Sequence, residues 1–399
     1  MLTKIKESYN ITIYASFIGY VTQAIIINFA PLLFVTFQKD YDISLASLSL
    51  LVLISFLIQL LTDLFSVYIV DKLGYRKCIV SAHILCFLGL ILLAFLPTVM
   101  HNKFSGILIA TVFYACGGGL IEVLVSAIVE ACPTKKKASI MSLLHSFYCW
   151  GFLAVVLLST AFFSVFGVKN WKVLSCLWAV IPLINSLLFM IVPINTLETV
   201  REGYSVKELL KMKVFWFMLL LMCAAGASEQ SVSQWISAYA EEGLNISKTM
   251  GDLLGGCLFA LLMGISRIIY SKNSDRISLK KYMIFSAFML LIAYAMTALS
   301  PIPLIGLIGC GLCGFFSSIM WPGIYSLSAG KIKGGTSMFA LLALSGDLGC
   351  SLGPAMVGTV SDSFNGNLSI GIIASAIFPL ILFLGLISDK KSKTKNGSV

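Results

Sequence analysis

Residues 43–77 read ISLASLSLLVLISFLIQLLTDLFSVYIVDKLGYRK. From Ile43 to Val70 the stretch is apolar except for small polar residues, Gln59 and one charge, Asp63. It then runs into a short polar turn holding Lys72, Arg76 and Lys77. An apolar run of about 18 residues or more is long enough to cross a bilayer as a helix. Lipid offers the backbone no hydrogen-bond partner, so such a segment must satisfy its N–H and C=O groups internally. The stretch therefore reads as a membrane-spanning helix followed by a basic loop.

The same pattern recurs along all 399 residues. Twelve spans are expected, at about 11–36, 45–70, 78–97, 105–131, 139–166, 173–194, 214–240, 250–271, 282–300, 303–328, 337–360 and 368–388. The composition agrees: 58% of residues are hydrophobic and 12% charged, against about 45–50% and about 25% in soluble domains. A soluble enzyme, a nucleic-acid-binding domain and a disordered chain are excluded. Met1 to Asn10 is polar and leads into a full-length span, so no short cleavable signal peptide is expected.

The net charge of +10 has a topological meaning. One set of loops carries 22 of the 28 Lys and Arg residues and the opposite set carries 5: Lys39, Lys103, Lys169, Lys172 and Lys248. Arg267 alone falls inside a span. The positive-inside rule places the basic set in the cytoplasm with both termini, giving a multi-pass protein of the cell membrane. The 11 cysteines are scattered through apolar segments, and Cys310 and Cys313 form a CxxC with no second pair. They read as small packing residues, with no metal site.

The longest hydrophilic connection, 195–213, falls between spans six and seven, and its Ser205-Val-Lys-Glu-Leu fits a capping box opening a short helix. It divides the chain into an N-terminal bundle, 1–194, a linker, 195–213, a C-terminal bundle, 214–388, and a tail, 389–399. The halves look related. Asp71-Lys-Leu-Gly-Tyr-Arg-Lys follows span two, and Asp275-Arg-Ile-Ser-Leu-Lys-Lys follows span eight. The same offset places Asp63 on Arg267. Ser139, Leu143, Leu144 and Gly151 match Ser337, Leu341, Leu342 and Gly349. Two six-helix halves around a midplane site is a secondary-transporter architecture.

The loop from Asp71 through Gly74, Arg76 and Lys77 resembles the signature loop of the major facilitator superfamily, Gly-x-x-x-Asp-Arg-x-Gly-Arg-Lys/Arg, with Val67 where the first Gly stands. A closer resemblance is to the fucose permease-like branch, the sugar–cation symporters. Gly117-Gly-Gly-Leu-Ile-Glu122, Gly226-Ala-Ser-Glu229 with Trp235, and Ser318-Ile-Met-Trp321-Pro322 with Tyr325 carry it. Gly349-Cys-Ser-Leu-Gly353-Pro354 is a weaker match. Two features depart from that branch. Span one holds Gln23 and Asn28 where an acidic residue is usual, and Ser126-Ala127 stands in place of an Asn-Pro. The resemblance implies twelve helices in two pseudo-symmetric halves and symport of a sugar with a cation, H+ rather than Na+.

A charge at the bilayer centre costs about 2.5–3.5 kcal/mol on insertion scales, so each one kept there needs a partner, a wet cavity or a function. Glu122, behind three glycines, reads either as the proton carrier or as a structural hydrogen-bonding group; desolvation, which disfavours the charged form, suits the first. Glu229 and Asp347 are further coupling candidates. Gln230, Gln234 and Ser237 share one helical face and read as lining a wet cavity. Trp235 could stack on a sugar or anchor at the interface. His145 and Tyr148, with Trp321 and Tyr325 beside the helix-breaking Pro322, complete the expected solute site with Gln23 and Asn28. Asp71, Gly74, Arg76, Lys77, Glu130, Arg267, Asp275 and Arg276 read as gate elements, or as topology determinants only.

The expected function is a secondary active transporter, a proton-coupled symporter of a small polar solute such as a sugar. No P-loop is visible, so ATP is not the direct energy source. The partners are then the solute, the coupling ion and the lipid bilayer, with no cofactor, no nucleic acid and a monomeric protein. A proton-coupled drug or metabolite exporter of the same fold is the alternative. A membrane sensor stands further off, because the loops are too short to hold an output domain.

Overall fold

The computed structural model describes residues 8–133, 137–195, 204–273, 277–332 and 335–389. Twelve helices within them are long and apolar enough to span a membrane. They are α1 Tyr9–Tyr41, α2 Leu45–Ser66, α3 Tyr75–Val99, α4 Lys103–Val129, α5 Leu143–Phe166 and α6 Val168–Ile191 in the first half. The second half has α7 Lys213–Gly243, α8 Lys248–Tyr270, α9 Leu279–Leu299, α10 Pro303–Ala329, α11 Leu341–Ser363 and α12 Leu368–Ser388. All twelve expected spans are present, with ends that differ by a few residues. Among the described residues there is no strand.

The two halves pack alike. In the first, α1 packs on α4, α5 and α6, while α4 also packs on α2 and α3, and α3 on α6. In the second, each of these contacts recurs six helices later: α7 on α10, α11 and α12, α10 on α8 and α9, and α9 on α12. The halves meet along two seams, α2 against α11 and α5 against α8, which the same symmetry exchanges. The duplication read in the sequence is thus a duplication of packing.

Local chemistry sets the details. Three consecutive glycines let α4 approach three different neighbours. A Cβ on Gly117 would lie 2.5 Å from the Ala82 carbonyl of α3, one on Gly118 2.4 Å from Ile26 of α1, and one on Gly119 2.8 Å from the Gln59 carbonyl of α2. Small residues of this kind bring helix axes close in a membrane, where packing rather than hydrophobicity drives association. In α10 the helix breaks at Ser318 and Ile319. Pro322 lacks the N–H that would bond the Ser318 carbonyl four residues back, which accounts for a break at that place. Further irregular stretches interrupt α1 at residues 29–33, α7 at 234–235 and α8 at 252–257.

The linker holds the expected short helix, Val206–Leu209. The Ser205 hydroxyl accepts from the Glu208 N–H, and the Glu208 carboxylate accepts from the Ser205 N–H at 2.8 Å. The Ser205 backbone N–H and then its hydroxyl hold the exposed Glu208 carboxyl below the usual carboxylate range. Arg76, just after the turn at Gly74 (φ 81), donates to the carbonyls of Phe189, Met190 and Val192 at 2.8–2.9 Å. A cation on the unsatisfied carbonyls of a helix end is a favourable cap. In this conformation Arg76 therefore ties α3 to the end of α6 inside one half.

Candidate functional site

The polar side chains expected in the membrane gather between the halves in two groups, and a third group seals one end of the bundle. The first group centres on Glu122 of α4. Gln23 of α1 is 3% exposed and donates its amide N–H to Glu122 Oε2 at 2.5 Å. Asp63 of α2 lies over the gap left by Gly119, whose added Cβ would sit 2.9 Å from Asp63 Oδ1. From the other half, Asp347 of α11, 7% exposed, faces Asp63 and Glu122. Tyr325 of α10 faces Asp347, Glu122 and Tyr20. Trp321 lies edge-on to Tyr325, with ring centroids 6.5 Å apart, and covers Gly346, where a Cβ would meet its ring at 2.2 Å. Tyr20 bonds Ser126 at 3.2 Å and His145 Nδ1 at 3.1 Å. His145 is nonetheless exposed, so water reaches this group from the end of the bundle that carries the basic loops.

The second group lies across the α5–α8 seam. Arg267 of α8 faces Glu229 of α7 and Tyr148 of α5, and its guanidinium donates to the Cys149 thiol at 3.1 Å. Tyr148 lies beside Asn28 of α1. Along α7, Gln234 donates to Gln230 at 2.9 Å, and Gln230 reaches Glu229 at 3.5 Å. The face read from the spacing of Gln230 and Gln234 is thus a hydrogen-bonded ladder, buried in this conformation, with a small cavity beside Gln234 that Ile26, Pro31, Phe34 and Tyr114 also line. Arg267, read as a gate element, faces these groups from near the end of α8.

Trp235 is wholly buried, donates to the Pro354 carbonyl at 3.0 Å and packs on Phe34 of the other half with centroids 5.1 Å apart. In this conformation it packs the closed end. His83 is a satisfied core residue, bonding the Ile79 carbonyl and Asn185 at 2.8 Å each. The side chains of Asp71 and Glu130, and Asp275 and Arg276 altogether, lie outside the described residues.

The third group is one the sequence reading missed. At the end opposite the basic loops, Asp252 is 1% exposed. It accepts from Ser237 at 2.5 Å and from Thr160 of α5 at 3.2 Å, and pairs with Lys248 at 3.2 Å. Lys248 in turn donates to the Leu32 carbonyl of α1 at 2.5 Å and lies over the Phe163 ring. This buried ion pair belongs to the second half and grips two helices of the first. Lys39 adds an exposed bridge across the same end, 2.6 Å from Glu242 and 3.3 Å from Glu241. The only sequence signal was the spacing of four between Lys248 and Asp252. A span drawn from residue 250 left both at the membrane surface, where charges are ordinary.

Two like halves, closed at one end over buried polar groups and accessible from the other, have the architecture of a membrane transporter. The family comparison agrees. The model of the Major Facilitator Superfamily matches residues 13–354 and 242–398, and the chain belongs to that superfamily. No curated protein sequence matches it. Among solved structures it is similar to the E. coli fucose:proton symporter FucP, at 18% identity and a TM-score of 0.65, over 96% of this chain and 99% of that one. It is also similar to a D-xylose-proton symporter, at 13% identity and a TM-score of 0.74, over 95% and 97%. A bacterial homolog of the human lysosomal transporter Spinster, inward-facing and unoccupied, matches at 15% identity and a TM-score of 0.75, over 95% and 98%. At these identities the likeness is one of fold.

Proposed function

We propose that this transporter is a proton-coupled symporter of a small polar solute, with a sugar as the solute class. The observation that carries the reading is Glu122, half-buried between the halves and held by Gln23 at 2.5 Å. A carboxyl that takes up and loses a proton at the interface of two rocking halves can couple a proton gradient to their movement. Two of the structural neighbours are themselves proton symporters of fucose and xylose. The solute would lie among Gln23, Asn28, His145, Tyr148, Trp321 and Tyr325, with Gln230 and Gln234 joining it when the opposite end opens. With the basic loops in the cytoplasm, the present conformation faces inward, and 1–194 and 214–388 are the bundles that move.

The test compares two assays on Glu122→Gln in proteoliposomes. Gln mimics the protonated carboxyl, so counterflow of labelled solute should persist while accumulation driven by a pH gradient is lost. Accumulation at the unmutated level would overturn the coupling role of Glu122.

A further inference from the structure

Arg267 is the one Lys or Arg that the sequence places inside a span, and the structure leaves it short of partners. Its Nη1 donates to the Cys149 thiol at 3.1 Å, and a thiol sulfur is a weak acceptor. Its Nε is enclosed without a hydrogen-bond partner. Its Nη2 makes no hydrogen bond among the described residues. Glu229 of α7 faces the guanidinium, as do Tyr148 and His145 of α5, yet no carboxylate among the described residues forms an ion pair with it. A cation kept inside a membrane is paired or has a function. The two unused groups, Nε–H and Nη2–H, are one edge of the guanidinium, an edge that forks onto a carboxylate with two parallel hydrogen bonds.

The fork lies where a solute would pass. A long helical side chain leans toward the N-terminus of its helix, and from Arg267 that direction leads to the middle of α8. Cys149 marks the level reached: its sulfur, which takes Nη1, is also 3.9 Å from the Met263 sulfur, one turn nearer the middle of α8. Arg267 is half-buried and His145 beside it is exposed, so water reaches this part of the seam from the end that carries the basic loops.

We infer that Arg267 is an anion-binding residue of the solute site, and that the solute is a small hydroxylated carboxylic acid, of the sugar-acid class. One guanidinium balances one negative charge. A phosphate ester carries more, and its surplus would face Glu229. The amides of Asn28, Gln230 and Gln234 along the same seam suit hydroxyl groups rather than a further charge. The inference narrows the solute class proposed above, and rests on that reading for placing the solute between the halves.

The test is binding to the purified full-length protein in detergent, read as stabilisation against heat at fixed ionic strength. The probes are D-glucuronate and D-gluconate, with D-glucose and the methyl ester of D-glucuronate as uncharged counterparts. The acids should raise the melting temperature and bind roughly 10-fold or more tighter than the ester, which differs from glucuronate at the carboxyl group alone. Arg267→Gln should weaken the acids roughly 10- to 100-fold, as loss of charge-assisted hydrogen bonds does, and leave the ester unchanged. An ester or glucose that stabilises as well as the acids, acids without effect, or an acid preference that survives in Arg267→Gln would each overturn the inference. The comparison of acid with ester uses the unmutated protein, so it decides the matter even where the variant does not fold. Proton-driven accumulation of glucose in place of the acids would keep the symporter reading and remove this one. Acid binding without proton-driven accumulation would do the reverse.

Discussion

Replacing Asp252 with Asn should unlock the closed end of the bundle. Asn keeps the shape of the side chain: its one oxygen can still accept from Ser237, and its N–H can donate to the Thr160 hydroxyl, where the carboxylate now accepts from the two at 2.5 and 3.2 Å. What it removes is the counter-ion of Lys248, whose side chain is 15% exposed in this conformation. Stripping one partner from a buried ion pair costs about 3–5 kcal/mol, because the remaining charge is left uncompensated. The Leu32 carbonyl and Ser237 stay in reach of the ammonium, so the lower figure applies. When this end opens, water reaches Lys248 and the cost vanishes. The penalty therefore falls on the closed state alone, and about 3 kcal/mol shifts the ratio of the two states roughly 100-fold. Spin labels at the exposed positions Asp40 and Ser247, on α1 and just before α8, would read it as a longer, broader distance distribution. Adding Lys248→Met removes the orphaned charge and should bring back most of the short distances. Unchanged distances in Asp252→Asn, or a double variant as open as the single, would refute the clamp.

Two other outcomes are expected. Gly349→Ala should cost about 1–3 kcal/mol of stability, read as a lower melting temperature in detergent, since its Cβ would fall 1.9 Å from the Cys223 carbonyl of α7, where no side chain can move aside. Gly264→Ala, with nothing within 4 Å of the new methyl, should be neutral or raise it. For orientation, cysteines replacing Lys103 and Lys169 should react with an impermeant reagent from outside the cell, and those replacing Lys136 and Lys393 only from inside; the reverse pattern would invert the topology.

The fold was legible because its two governing signals are local. Apolar runs such as Ile43 to Val70 determine the spans, and the repeated Asp71 and Asp275 loops reveal the duplication. The mid-bundle groups were legible in part, since Glu122, Gln23, Glu229, Asp347 and Tyr325 are out of place in lipid wherever they point. Their pairing was not. Nothing in the sequence says that Gln23 reaches Glu122, that Asp63 faces Asp347 across the seam, or that Tyr20 turns to His145. Those are properties of helix rotation and of which glycine receives which neighbour. Trp235 shows the same limit: the sequence allows it to stack on a solute or to anchor at the interface, and does not say that Phe34 of the other half packs against it. Asp252 and Lys248 were missed for a different reason. A charge near a span's end looks solvated in one dimension and is enclosed only when α1 and α5 of the other half close over it.

The partner of Lys248 in α1 is a backbone carbonyl, that of Leu32, in the 3-10 stretch Ala30–Leu33 that holds Pro31. A main-chain oxygen is the same atom whatever residue carries it. One side of the clamp is therefore written in the path of the chain and cannot be lost by a point change at residue 32. A saturation scan would score Leu32 for its packing alone and pass over its part in closing the protein. Sensitivity should appear one position earlier, at Pro31, where a substitution that lets a regular helix run through would turn the Leu32 carbonyl to the Thr36 N–H of its own helix. The strength of this closure can then be tuned at Lys248 and Asp252, while its place on α1 is set by the path of the chain around Pro31.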